Sequence, residues 1–303
     1  MQALLIGILS SLIAAIIIAW VRKIYLRSKN KNTSIAKIEL ESTPFFNNGS
    51  SFTLEKVNYL YGPNSSGKSA LSEWISTLEG DRNIQRWFDL ESTLPINLLF
   101  NIKGSKISQV RITIDKDGVN YNYKNTKSFT SPVPFKFVFL KNERIQDDEM
   151  TAIPILAKQF KITDSYLCKL VEQFNSNINF SIQGLKIKEG ESKSELSVKL
   201  NKTRSYQNYY GLSGSEQQKV LIELGINLCN HLCTKSPCLL IIEQSSFDID
   251  IEYFDFIIGK LTSKLFKFQT LIISVEKPYY RATDNYKSLV LTGKVPNIEV
   301  VEV

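Results

Sequence analysis

Val57-Asn58-Tyr59-Leu60-Tyr61 runs directly into Gly62-Pro63-Asn64-Ser65-Ser66-Gly67-Lys68-Ser69, and that into Ala70-Leu71-Ser72-Glu73-Trp74-Ile75-Ser76-Thr77-Leu78. The first five residues have the length and apolar character of a buried strand, and Ala70, Leu71, Trp74, Ile75 and Leu78 recur at helical spacing. The eight residues between them fit G-x-x-x-x-G-K-[ST], which has chemical meaning only in this strand-loop-helix context. Glycines allow the turn that aims successive backbone N–H groups at phosphate oxygens, and the helix start adds the positive end of its dipole. Lys68 reaches the outer phosphates and the Ser69 hydroxyl can ligate Mg²⁺. The alternative is a Gly/Ser-rich turn that holds no nucleotide.

Three further stretches follow in order. Leu212-Ser213-Gly214-Ser215-Glu216-Gln217-Gln218 precedes a helical pattern through Val220, Leu221, Leu224, Leu228 and Leu232. Pro237 then leads into Leu239-Leu240-Ile241-Ile242-Glu243-Gln244, an aliphatic strand ending in an acid, with Ile249-Asp250 six residues beyond. Last comes Leu271-Ile272-Ile273-Ser274-Val275-Glu276-Lys277-Pro278-Tyr279.

The loop Gly62 to Ser69 resembles the GPNGxGKS Walker A loop of the ABC-type ATPases, the group that holds transporter nucleotide-binding domains, the SMC and RecF proteins and the OLD-like ATPases. The Leu212 stretch resembles their LSGGQ signature, the Leu239 strand their Walker B element, and Ile249-Asp250 their D-loop. The resemblance covers residues 34–303. It implies an α/β P-loop head with a central, mainly parallel sheet, an antiparallel β layer and a helical insertion at 141–176. It also implies ATP and Mg²⁺ as cofactors, bound at Gly62, Pro63, Asn64, Ser65, Ser66, Gly67, Lys68 and Ser69. Ser213 and Gly214 would complete the site of the opposite subunit, so that a head-to-tail homodimer sandwiches ATP, with Asp250 beside it. The plain structural reading of Ser213-Gly214 is a helix N-cap, with Ser213 or Ser215 capping and Glu216 in the first turn.

Departures from the family pattern bear on function. Placing Asp250 at the D-loop makes Glu243 the metal-side acid and Gln244 the residue where the family has its general base. A carboxamide orients water but accepts no proton, so hydrolysis is expected to be slow while binding persists. In the alternative register Glu243 is the base and Ile242 falls at the metal position. Glu276 stands where the family has a switch histidine; the one histidine, His231, lies on the presumed signature helix. Gln146 is a candidate Mg²⁺-sensing residue or a plain surface residue. The catalytic candidates are thus Gln244, Glu243 and Glu276, and the metal candidates Ser69, Glu243 and Gln146.

Residues 3–21 are nineteen consecutive uncharged residues, the length of a transmembrane helix. The run is followed by Trp20-Val21-Arg22-Lys23 rather than by a small-residue cleavage site, which favours an anchor over a cleaved signal. Arg22, Lys23, Arg27, Lys29 and Lys31 place the N-terminus outside and the head in the cytoplasm, at an inner or plasma membrane. Gly7, Ser11, Ala15 and Ala19 fall on one helix face and suit close packing on another helix. The expected organisation is an anchor with a basic collar at 1–27, a linker at 28–33 and the head at 34–303.

Within the head, 97–124 alternate through two runs joined at Asp115-Lys116-Asp117-Gly118, a hairpin pattern. Phe135 to Leu140 reads as a core strand, 148–176 as helix interrupted near Pro154, and 179–201 as a second hairpin. Long heptad arms and internal repeats are absent.

The 303 residues carry a formal charge of +7, but six of those charges fall in 1–37, where no acid occurs, so the head is nearly neutral. A nucleic-acid ligand is therefore not indicated by charge. Tyr206, Tyr209 and Tyr210 beside Lys202 and Arg204 suit base stacking or, more simply, core and interface packing. The four cysteines show no C-x-x-C spacing and read as reduced, mostly buried thiols. Cys229-Asn230-His231-Leu232-Cys233 offers metal-ligand types inside a helical pattern, where packing is the simpler reading.

Three functional classes follow. The first is a membrane-anchored ATP switch with slow or partner-dependent hydrolysis, acting on an unidentified protein; heads of this resemblance often occur in anti-phage defence modules. The second is a fully active ATPase of transport or DNA maintenance. The third is a scaffold with a decayed nucleotide site.

Overall fold

The structure, a computed structural model, describes residues 33–80, 95–104, 108–123, 135–141, 151–174, 180–189, 194–279 and 285–303. The apolar run 3–21, its basic collar and Gln146 lie outside them. Among the described residues no helix is long and apolar enough to cross a membrane.

The strand ahead of the phosphate loop lies inside a six-stranded sheet. Its order is β14 (Glu299–Glu302), β13 (Tyr286–Thr292), β3 (Val57–Tyr61), β12 (Gln269–Ser274), β11 (Cys238–Glu243) and β7 (Lys136–Leu140). All neighbours are parallel except β13 and β14. Leu60, Leu239, Ile241, Leu271 and Ile273 face one core, and Tyr59, Leu240, Ile242 and Ile272 face the other. Burial on both faces is why these strands read as continuous aliphatic runs.

One core lies between this sheet and a five-stranded antiparallel layer, ordered β2 (Ser50–Thr53), β1 (Ser34–Ser42), β4 (Ile96–Lys103), β5 (Gln109–Asp115) and β6 (Gly118–Tyr123). Helix α1 (Lys68–Ser76) contributes Ala70, Leu71, Trp74 and Ile75 to it. In β1 the register shifts between Ile35, opposite Ile102, and Lys37, opposite Asn101, so Ala36 is an extra residue. That bulge turns the uneven spacing 35, 38, 40 into three side chains buried in one core. Asp115 pairs with Gly118 across a two-residue turn, as the hairpin pattern requires.

The other core holds α2 (Ala152–Phe160), α3 (Asp164–Glu172), α4 (Gly214–Leu232), α5 (Ile251–Leu261) and a small antiparallel sheet ordered β10 (Gln207–Asn208), β9 (Ser194–Leu200), β8 (Ile182–Glu189). α4 crosses β7 so closely that a Cβ at Gly225 would lie 2.5 Å from Leu140 Cδ2. The Glu223 carboxylate, fully buried on α4, accepts from the N–H groups of Phe180 (3.0 Å), Ser181 (2.6 Å) and Ile182 (3.2 Å), from Ser181 Oγ (2.5 Å) and from the Tyr253 hydroxyl (3.1 Å). One side chain thus fastens the start of β8 and helix α5 to α4.

Two expectations change. Pro154 does not interrupt a helix: it is the third residue of α2, where its missing N–H has no intrahelical partner to lose. The break falls at Lys161, whose φ is +55°. The strand read as core, β7, is an edge strand among the described residues, with Val138 and Leu140 buried but Phe137 and Phe139 half-buried.

Candidate phosphate-binding cleft

β3 ends at Tyr61 and the chain turns through the loop into α1. Ser65 (φ +63°) and Gly67 (φ +80°) are left-handed. At Gly67 a Cβ would also come within 3.0 Å of the Phe46 ring, so the loop has no room for a larger residue there. Gly67 caps α1 with no side-chain hydrogen bond, and the first helical bond runs from Leu71 N–H to the Gly67 carbonyl at 2.9 Å. The N–H groups of Lys68, Ser69 and Ala70 therefore point out of a positive, uncapped helix end.

Lys68 Nζ folds back into the loop and donates to the carbonyls of Gly62 (2.7 Å) and Pro63 (2.6 Å) and to Ser66 Oγ (3.3 Å). Burial pulls its ammonium below the usual lysine range, and the Glu243 carboxylate opposes that shift. Both residues line a cleft of about 290 Å³ together with Phe45, Asn64, Ser65, Ser66, Gly67, Ser69, Ala70, Ser245, Ile273, Val275 and Val295. The donor set fits an anion at the helix end. The exposed Ser69 hydroxyl and the Glu243 carboxylate are oxygen ligands of the kind Mg²⁺ takes. Lys141 Nζ lies 3.8 Å from Glu243 Oε2.

Gln244 does not line this cleft. It opens a short 3₁₀ turn, and its Oε1 accepts from the Tyr59 hydroxyl at 2.5 Å. Burial raises the Tyr59 hydroxyl above its usual range, while hydrogen bonds to Ser274 and Gln244 act in the opposite sense. Ser274 Oγ also accepts from the backbone N–H of Glu276 at 3.1 Å. Tyr59 therefore touches Gln244 directly and lies one residue, Ser274, away from the Glu276 backbone. The Glu276 side chain is exposed and does not line the cleft.

Ser213, Gly214 and Asp250 are exposed and none lines the cleft. Ser213 caps α4 in a reciprocal box: Ser213 N–H donates to Glu216 Oε2 (2.9 Å) and Glu216 N–H to Ser213 Oγ (3.4 Å). Asp250 precedes α5 without a side-chain capping hydrogen bond. A Cβ at Gly214 would meet nothing within 4 Å.

Several residues at the site escaped the sequence reading. Phe45, stacked on Trp74 with ring centres 5.9 Å apart, and Val295 reach the cleft from loops far from any motif. The adjacent pair Phe45-Phe46 in a turn was the one local signal. Of the tyrosines considered for base stacking, Tyr209 is buried, Lys186 covers the Tyr206 ring at 4.5 Å, and Tyr210 alone is exposed. Cys229, Cys233 and Cys238 are buried free thiols, and among the described residues no group of three or more His, Cys, Asp or Glu suits a metal ion.

No protein-family model matches the chain, and no curated protein matches it in sequence. Solved structures do match in fold. The recombination mediator protein RecF, solved as RecF-ATPrS in the RecFOR pathway, is 13% identical over 89% of this chain and 98% of its own, with a TM-score of 0.58. The SMC head domain from Thermotoga maritima is 16% identical with the same coverage and a TM-score of 0.52. An SmcHead bound to the C-winged helix domain of ScpA is 14% identical, again over 89% and 98%, at 0.58. The chain thus has the fold of the RecF and SMC ATPase heads.

Proposed function

We propose that this chain is a membrane-tethered, cytoplasmic ATP-binding head whose ATP-dependent pairing with a second copy is a switch read by a partner protein, with slow hydrolysis. The observation that carries the reading is the cleft itself, where an uncapped helix end, Lys68, Ser69 and Glu243 converge. Heads of this fold solved as RecF-ATP and bound to a ScpA domain support both a nucleotide and a protein partner. Gln244 supports the slow rate, since its carboxamide holds the Tyr59 hydroxyl and takes no proton. A role in an anti-phage defence module is the biological setting this reading suits.

Lys68→Ala is expected to weaken ATP binding roughly ten- to a hundred-fold, the loss of charge-assisted hydrogen bonds. Equal affinity of both proteins in calorimetry would sink the reading. A second reading, a fully active ATPase, is favoured by Glu243 as the carboxylate on the cleft wall. Gln244→Glu separates the two: a missing base restored raises turnover by roughly a hundred-fold, whereas unchanged turnover points to Glu243 as the base.

A further inference from the structure

At the opposite ends of the central strands lies a second groove, of about 800 Å³, lined among others by Thr33, Ser34, Lys56, Lys103, Lys264 and Lys267. Glu55 is the one acid on its wall. Lys56 donates to the Ser263 carbonyl and so holds the 263–268 loop against the sheet. Lys103, Lys264 and Lys267 are exposed, and among the described residues no carboxylate pairs with them. Between the last two, Leu265 is 54% exposed, while Phe266 and Phe268 are buried. In a head that is nearly neutral overall, this concentration of cations around an exposed aliphatic residue is a local feature.

The groove is also where the chain enters the fold. Thr33 Oγ1 donates to the Gly104 carbonyl (3.1 Å), and Ser34 pairs with Lys103. The buried Gln269 carboxamide grips the next residue from both sides, accepting from Ile35 N–H (3.1 Å) and donating to Ile35 C=O (2.9 Å) and Glu55 C=O (2.7 Å). Residues 22–32 separate this fixed point from the apolar run, a reach of at most about 40 Å, and five of them are cations.

We propose that this groove is a docking surface for an anionic phospholipid bilayer, with Lys103, Lys264 and Lys267 meeting lipid phosphates and Leu265 entering the acyl boundary. The proposal rests on reading 3–21 as the membrane anchor and adds the face that the anchored head turns toward the lipid. A phosphodiester backbone also attracts lysines, but it offers nothing to an exposed leucine, and the groove's phenylalanines are not available for stacking. Docking on this face leaves the phosphate-binding cleft, at the other end of β3, turned away from the bilayer and open to nucleotide and a second copy.

The test reconstitutes the full chain in vesicles of phosphatidylcholine alone or with phosphatidylserine and measures acylation of individual lysines by mass spectrometry. Each lysine near an anionic surface adds roughly a five-fold factor to docking. Labelling of Lys103, Lys264 and Lys267 is therefore expected to slow about five-fold or more in the anionic vesicles and to recover at high salt. Lys294, exposed and next in sequence to the cleft residue Val295, should label equally in both. The variant Lys103→Glu/Lys264→Glu/Lys267→Glu should still float with vesicles but lose the lipid-dependent protection of 262–269 in hydrogen exchange. Flotation with equal labelling in both lipids overturns the docking surface and leaves the anchor standing, whereas failure to float in either lipid overturns the anchor and the docking with it. Protection by a DNA duplex but not by anionic vesicles overturns the proposal in favour of nucleic acid.

Discussion

Ser65 occupies the loop position where the resembled motif has glycine, and it does so with φ +63°. A side chain in that region costs roughly 1–2 kcal/mol from contact between Cβ and the following carbonyl, and the Ser65 side chain is exposed, with no hydrogen-bond partner among the described residues. Glycine relieves that strain but loses more chain entropy on folding. Ser65→Gly is therefore expected to stabilise the protein by roughly 0.5–1 kcal/mol, read as a higher denaturant midpoint at unchanged slope, with Ser65→Ala near neutral. A lower midpoint for the glycine variant would show that the strained serine makes an interaction that outweighs its backbone cost. At the same scale, Gln244 and Glu276 differ from the general-base and histidine positions of the resembled family by charge and proton affinity; Gln244 accepts directly from Tyr59, and the Glu276 backbone N–H donates to Ser274 beside it.

Among the elements, α4 makes connections along most of its length. Its N-terminus is the Ser213–Glu216 box, its middle presses on β7 at Gly225, and Glu223 holds β8 and α5. Glu223→Ala would leave three N–H groups, two of them buried, and the Tyr253 hydroxyl without their acceptor, a loss of about 3–5 kcal/mol. Urea unfolding should show it as a large fall in midpoint, and a change within 0.5 kcal/mol would mean that water replaces the carboxylate. Glu302 works similarly at the sheet edge, where β14 reaches β2. Burial works to raise its pKa, but the N–H and hydroxyl of Thr53 and the Lys287 ammonium outweigh this and bring it down to about 2. These long-range fasteners were not legible in the sequence, because each partner lies tens to hundreds of residues away and glutamate in a helix or terminal strand reads as a solvated charge. What was legible depended on local pattern. The loop and its flanks, the Asp115–Gly118 turn and the apolar face of α4 were each written in consecutive residues. Pro154 misled because its cost depends on its position in the helix, and β7 because an apolar strand looks alike at the edge and in the middle.

For the molecule as a whole, the decisive question is whether two heads meet across the phosphate-binding cleft. In the single chain, Ser213, Gly214 and Asp250 stand in solvent, outside that cleft, so the chain's own fold gives Gly214 no packing role. This separates stability from assembly. Since a Cβ at Gly214 meets nothing within 4 Å, Gly214→Ala is expected to leave the unfolding midpoint unchanged or slightly raised, as helix propensity favours alanine by up to about 1 kcal/mol. Gly214→Arg should likewise fold and bind nucleotide, but its bulk would stand where the second copy's nucleotide must approach. In light scattering with ATP, the parent should shift toward a dimer and the arginine variant should remain monomeric, with equal nucleotide affinity measured below the pairing concentration. A parent that stays monomeric with saturating ATP removes pairing from the proposed switch. An arginine variant that pairs normally would place the interface on another face, leaving the capping of α4 as the whole role of the Ser213-Gly214 turn.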